Sequence, residues 1–91
     1  MGRSQRPRPV RLAEKLLQIR RKLGLSQQQM LKRLEYKRST LAVGHISDFE
    51  LDKREPPLLL LLRYARVAGV RLEVLVDDEM DLPKTVRRKI V

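Results

Sequence analysis

The segment that most restricts the fold is the apolar stretch at residues 56–69, which reads PPLLLLLRYARVAG. Leu58 to Ala68 is apolar almost all round, with two arginines as the exceptions. A helix of this kind is typical of a protein interior, where other elements cover it. Pro57 suits the first helical position, and Gly69 predicts the end of the helix. The sequence therefore predicts a central core helix packed against other helices.

Composition limits what surrounds that helix. A chain of 91 residues supports one small domain with a single core. Only 3% of the residues are aromatic and Trp is absent, so we expect a core of Leu, Val and Ile side chains. The formal net charge of +10, from 21 Lys and Arg against 11 Asp and Glu, favours a polyanionic partner, with nucleic acid ahead of an anionic membrane surface. The absence of Cys excludes a disulfide framework, a thiolate metal site and a Cys nucleophile.

Two amphipathic helices are predicted before the core helix. The first is predicted from Val10 to Leu23, because its apolar residues share one face. Gly24 is expected to end it. These residues are Leu12, Leu16, Ile19 and Leu23. Ser26 is expected to N-cap the second helix in a capping box with Gln29, and this helix is expected to end near Glu35.

Two shorter helices complete the prediction. Ile46, Phe49 and Glu50 indicate a third helix, followed by a polar break at residues 52–57 that ends in two prolines. Val70 to Val76 alternates as a strand does, but the chain offers no partner strand, so a short fifth helix is the better interpretation. The predicted fold class is therefore all-α.

The ends of the chain differ from this helical part. We expect a flexible basic arm at residues 1–9, a helical domain at residues 10–76 and a charged tail at residues 77–91. The arm contains Arg3, Arg6 and Arg8 with prolines between them. The tail begins with acidic residues and ends with basic ones.

Two strings carry a family resemblance. LGLSQQQMLKRL at residues 23–34 and ISDFELDKREPPLLLLLRYARVAGVRLEVL at residues 46–75 resemble the lambda-repressor-like helix-turn-helix family, the Cro, phage-repressor and XRE type. The likeness covers most of residues 10–76. It implies a compact five-helix domain that binds double-stranded DNA in a sequence-specific way. It also implies a repressor-like transcriptional regulator that acts as a homodimer on two-fold sites.

The resemblance also implies roles for individual residues. Gln27 matches the family's backbone contact after the cap of helix two, and its neighbour Gln28 is included as a DNA-binding candidate. Lys53 matches a basic residue that approaches phosphate after helix three. Arg20 and Glu50 match a structural salt bridge between helices one and three.

The turn between helices two and three is several residues longer than the family's, because EYKRSTLAVGH separates Leu34 from Ile46. Either helix three starts near Ser39 and runs past Gly44, or residues 36–42 form a protruding loop before a helix that starts near Gly44. The second arrangement is favoured, since glycine is a better helix start than middle.

Candidate DNA contacts lie both in the long turn and in helix three. Lys37 and Arg38 are expected to bind phosphates beside the groove. The candidates for base-edge contacts either have side chains able to bond a base or occupy positions that the family directs at the major groove. They are Ser39, Thr40, Gly44, His45, Ser47 and Asp48. Arg3, Arg6 and Arg8 are expected to enter a minor groove or to follow the backbone.

Other function classes have weaker support. The carboxylates at residues 77–81 have no His, Cys or glycine-rich loop near them, so we expect no enzyme, no metal site, no cofactor and no small-molecule substrate. The alternative function is an antitoxin-like or adaptor protein whose scaffold mainly binds a protein partner, through residues 58–76 or the tail. No apolar run is long enough for a membrane span, which favours a cytoplasmic protein that associates with the nucleoid when bound to DNA.

Overall fold

The computed structural model describes residues 8–84 and residue 86. Within them the chain is all-helical and has no strand. Its elements are α1 (Leu12–Leu23), α2 (Gln27–Leu34), α3 (Val43–Glu50), α4 (Leu58–Ala68) and α5 (Leu72–Val76). The five predicted helices are confirmed, and the ambiguous segment before residue 77 is helix rather than strand. None of these helices has the length and apolar character needed to cross a membrane.

Local sequence signals set most of the helix ends. Gly24 and Gly69 end α1 and α4 in the left-handed conformation, with φ of 72° and 73°. The predicted capping box of α2 is confirmed, because the Ser26 hydroxyl accepts from the Gln29 N–H and the Gln29 side chain accepts from the Ser26 N–H. Glu35 then ends α2 with a φ of 49°.

Two helix starts differ from the prediction by one or two residues. α1 begins at Leu12 rather than Val10. Pro57 precedes α4 instead of occupying its first turn, because its ψ of 151° is extended. Its carbonyl still accepts the N–H groups of Leu60 and Leu61. Pro57 is therefore the N-cap residue, which lies just before the helix and accepts its first backbone hydrogen bonds.

α4 lies at the centre, as its composition predicts, and packs against α1, α2 and α5. α3 packs against α1 and α2. The core is aliphatic apart from Phe49 and Tyr64, and its fully buried members come from all five helices. They include Leu16, Ile19, Met30, Leu34, Ile46, Leu60, Tyr64 and Leu75. The hydroxyl of Tyr64 is buried without a hydrogen-bond partner among the described residues.

The segment after α5, which the sequence assigned to a charged tail, returns to the start of α1. The Asp78 carboxylate accepts the backbone N–H groups of Val10 at 2.9 Å and Arg11 at 3.0 Å. The Arg11 guanidinium donates to the Asp78 carbonyl at 2.8 Å and to the Asp81 carboxylate at 2.7 Å. Further along, Val86 is buried in the core. Asp78 thus satisfies backbone donors at the start of α1 that the local sequence leaves without a side-chain cap.

A buried lysine joins the same two elements. Lys15 is 1% exposed, and its ammonium donates to the carbonyls of Val74 at 2.7 Å and Asp77 at 2.9 Å. Burial, followed by the charge of Arg11, lowers the pKa of Lys15. The ammonium compensates for its burial by binding carbonyls at the C-terminal end of α5, which carries partial negative charge.

We expect Asp78→Asn to lower the thermal midpoint of unfolding, whereas Glu79→Gln, a neighbouring exposed carboxylate, should leave it unchanged. The hydrogen bonds from Val10 and then Arg11 lower the pKa of Asp78 below its usual value of 3.8. This stabilisation is therefore fully present above that value and is lost as the pH falls through the lower folded-state pKa. Circular dichroism melts across the acidic range would measure it. Equal acid sensitivity of Asp78→Asn and the parent chain would contradict the assignment.

Candidate nucleic-acid interface

The N-terminus of α2 is held against the end of α3. Gln27, the first residue of α2, is half-buried, and its side-chain amide donates to Glu50 at 3.1 Å. Gln28 is exposed. Among the described residues, Gln27 has no further side-chain hydrogen bond, and the bond to Glu50 orients this side chain at the helix start.

Arg20 and Glu50 form a bidentate ion pair between α1 and α3. The Arg20 Nε lies 2.7 Å and its Nη2 lies 3.0 Å from the two carboxylate oxygens of Glu50. Arg20 also donates to the carbonyl of Leu25 at 2.9 Å. The Glu50 side chain is 4% exposed, and its hydrogen bond raises the pKa of Arg20. The pair therefore fixes the C-terminal end of α3 against α1 and against the α1–α2 turn.

The long turn is a loop of residues 35–42, and α3 starts at Val43, which agrees with the favoured arrangement. Tyr36 and Leu41, near its two ends, pack against the core. The residues between them are exposed. They are Lys37, Arg38, Ser39 and Thr40. Packing of Tyr36 and Leu41 against the core thus leaves two cations and two hydroxyls exposed in the loop that precedes α3.

α3 presents a small outward face. Ile46 and Phe49 point into the core, whereas Gly44 is exposed and Ser47 and Asp48 are half-exposed. A side chain added at Gly44 would meet no atom within 4 Å. This face has few hydrogen-bonding groups and open space beside its glycine.

His45 has a local role at the start of α3. Its Nδ1 accepts the backbone N–H of Ala42 at 2.9 Å, which is the reciprocal half of a capping box, while the alanine offers no side-chain acceptor to the first turn of α3. Because Nδ1 is the acceptor, the neutral ring carries its proton on Nε2. Nε2 is then the nitrogen of His45 that can donate to a base edge.

Basic residues also follow α3. Lys53 and Arg54 are exposed, and Arg54 lies 3.9 Å from the Asp48 carboxylate. Arg8 donates to the Asp52 carboxylate at 2.8 Å, which places the start of the described chain beside the end of α3. The other two arginines of the predicted arm, Arg3 and Arg6, lie outside the described residues.

Sequence reasoning missed the contribution of α4 to this region. The Arg63 Nε donates to the carbonyl of Leu34 at 2.7 Å, at the C-terminal end of α2, and its guanidinium lies 3.6 Å from Glu35. The available signal was the presence of two cations, Arg63 and Arg66, in an otherwise apolar helix. Their spacing of three residues places them on the same side of α4.

The described residues contain no group of three or more His, Cys, Asp or Glu side chains that could hold a metal ion. Comparison with protein-family models, with curated proteins and with solved structures finds no match for this chain. The functional interpretation therefore depends on the geometry of α2, the loop and α3.

We expect Glu50→Ala to lower the free energy of unfolding by about 3 kcal/mol, because it leaves a mostly buried guanidinium without its partner. Glu73→Ala, which removes an exposed carboxylate 3.6 Å from Arg71, is the control and should cost less than about 1 kcal/mol. Urea denaturation would measure both. Similar losses for the two variants would show that the Arg20–Glu50 pair is no more important than a surface pair.

Two glycine variants separate helix propensity from backbone conformation. Gly44→Ala should raise the free energy of unfolding by about 0.5 kcal/mol or less, since alanine is the better helix former and the site has room, but glycine costs less in the first turn than in a helix interior. Gly24→Ala should lower it by about 1 kcal/mol, because φ there is +72° although no atom crowds the site. Urea denaturation of both variants is the measurement. Destabilisation by Gly44→Ala would indicate that the start of α3 is placed wrongly.

Proposed function

We propose that this chain is a lambda-repressor-like transcriptional regulator that binds double-stranded DNA through α2, the loop of residues 35–42 and α3. The observation that carries the proposal is that exposed cations precede and follow α3 along the chain. Lys37 and Arg38 precede the helix and Lys53 follows it. Phosphates border a DNA groove on both sides, so cations before and after a groove-facing helix suit the duplex. The five-helix all-α architecture supports the proposal, since the resemblance implies a compact domain of five helices.

The proposed contacts divide into two classes. Gln27, Lys37, Arg38 and Lys53 would bind phosphates, which position the protein without reading sequence. Side chains with hydrogen-bonding groups near the groove would contact base edges. They are Ser39, Thr40, His45, Ser47 and Asp48. Specificity would then depend on the loop as much as on α3, because the outward face of α3 includes Val43 and Gly44.

We propose a homodimer as the binding form. Nothing in the sequence identifies a dimer face, and residues 70–76 are the first segment to consider, but Val74 and Leu75 of that segment are buried in the chain's own core. Val76 is 36% exposed and lines an open cavity of about 600 Å³ that also includes Leu58 and Leu61. Any contribution of α5 to a dimer is therefore expected through Val76 and this cavity.

A second candidate function is an adaptor that binds a protein partner and has only non-specific affinity for DNA. The small number of hydrogen-bonding side chains on the outward face of α3 favours this function, because Val43 and Gly44 offer no side-chain hydrogen bond to a base. The +10 net charge favours some DNA affinity in either case.

Selection from a random duplex library, at low and at near-physiological salt, distinguishes these functions. An enriched two-fold motif that persists at the higher salt would support the dimeric regulator. Binding without a motif, lost as salt rises, would contradict sequence-specific recognition and favour the adaptor.

Two variants test the division of contacts on the selected duplex. Lys53→Ala should weaken binding to all sequences and reduce the slope of log K against log salt by about 1, since one phosphate contact is lost. Ser47→Ala should change the preference among sequences and leave the slope unchanged. Fluorescence anisotropy titrations at several salt concentrations would measure both. If the two variants behave alike, the division into phosphate and base contacts is wrong.

A further inference from the structure

The outward side of α4 contains exposed and partly exposed residues that are not members of the core. Leu59, Leu62, Arg63 and Arg66 are spaced at i, i+3, i+4 and i+7, so they lie on one side of the helix, which we call the outer stripe. Leu59 in this stripe is 40% exposed. The outer stripe thus combines two leucines with two arginines on a surface that the chain's own elements leave partly uncovered.

The loop of residues 35–42 forms the other side of a groove over this stripe. Tyr36, Lys37 and Arg38 face the outer stripe across an open volume of about 380 Å³. This volume falls within the range of sites that receive ligand side chains or small molecules. The two leucines and the tyrosine supply apolar surface, and the cations surround it.

The groove is strongly positive. Its lining contains four cations and no carboxylate. Arg63 is held by the Leu34 carbonyl and is partly neutralised by Glu35, 3.6 Å away. Lys37, Arg38 and Arg66 have no ion pair in the part of the chain that the structure describes. Three cations therefore remain available to an anionic ligand.

The apolar surface decides between two kinds of anionic macromolecule. A phosphate backbone would satisfy Lys37, Arg38 and Arg66, but it has no apolar group to cover Leu59 and Leu62. An acidic polypeptide segment with apolar side chains can bind the three cations and also cover the two leucines. Burial of this apolar area favours binding. Helix-in-groove recognition by proteins uses the same combination of apolar anchors and complementary charges.

We propose that this groove binds an acidic segment of a partner protein. An apolar side chain of the partner packs on Leu59 and Leu62, and its carboxylates bind Lys37, Arg38 and Arg66. Tyr36 forms one wall, as aromatic residues often do at protein interfaces. Lys37 and Arg38 are also proposed phosphate contacts, so the acidic segment and DNA would compete for them. The tests therefore use Leu59 and Arg66, which have no part in the proposed DNA contacts.

The probe is a fluorescein-labelled synthetic peptide in which leucines at i and i+3 spacing lie among glutamates. A second peptide has glutamine in place of each leucine. Binding of both to the full chain is measured by fluorescence anisotropy. The leucine peptide should bind, and the glutamine peptide should bind at least about tenfold more weakly, since about 1.4 kcal/mol corresponds to tenfold in affinity.

Variants locate the binding on the protein. Leu59→Ser and Arg66→Ala should each weaken binding of the leucine peptide by about fivefold or more, as expected for residues that contact an anchor or a carboxylate. Leu51→Ser is the control for an exposed leucine, because Leu51 is 60% exposed and does not line the groove. Arg71→Ala is the control for an exposed cation outside the groove. Both controls should bind as the parent chain does, and circular dichroism would establish that all four variants are folded.

Several outcomes would overturn the proposal. They are failure of the leucine peptide to bind, equal binding of the two peptides, and loss of binding in the controls as large as in the groove variants. A duplex DNA probe is titrated in parallel. If Leu59→Ser and Arg66→Ala weaken DNA binding while the peptide does not bind, the groove is a nucleic-acid contact rather than a protein-binding site.

Discussion

The contacts of the Glu50 carboxylate are the constraint on which the helical arrangement around α3 depends. One oxygen accepts from the Arg20 Nε, and the other accepts from the Arg20 Nη2 and from Gln27. A buried carboxylate is costly unless its lone pairs are satisfied, so α1, α2 and α3 can pack only in positions that bring these donors together. α3 has only eight residues, and this shared contact fixes its C-terminal end.

In the proposed DNA-binding mode, phosphate contacts and base contacts come from different segments around α3. The exposed cations lie before and after the helix, while the helix itself offers a glycine, a valine and few hydrogen-bonding side chains. The capping bond of His45 orients one of those few, because it commits Nδ1 to the backbone. The loop between Tyr36 and Leu41 adds exposed hydroxyls and cations that precede the helix along the chain. The long turn thus supplies groups that the short helix lacks.

The sequence predicted the parts of the structure that local chemistry determines. Glycine, serine and the apolar periodicity located five helices and the capping box, since these signals act within a few residues. The bonds of Asp78 to Val10 and Arg11 join residues 67 and 68 positions apart, and no local signal marks them. For the candidate site, the length of the turn favoured a loop before Gly44. The groove between the loop and α4 depends on tertiary packing that one sequence does not reveal.

The contacts of Asp78 and Lys15 have a topological consequence. Because the entry to α1 and the exit from α5 are hydrogen-bonded to one another, residues 77–78 close the helical bundle on itself. The chain then continues along α1, since the Lys84 carbonyl accepts from Lys22 and Val86 is buried in the core. The residues that look like a solvated acidic tail are thus part of the folded unit, and a fragment that stopped at residue 76 would lack the partners of Lys15 and of the start of α1.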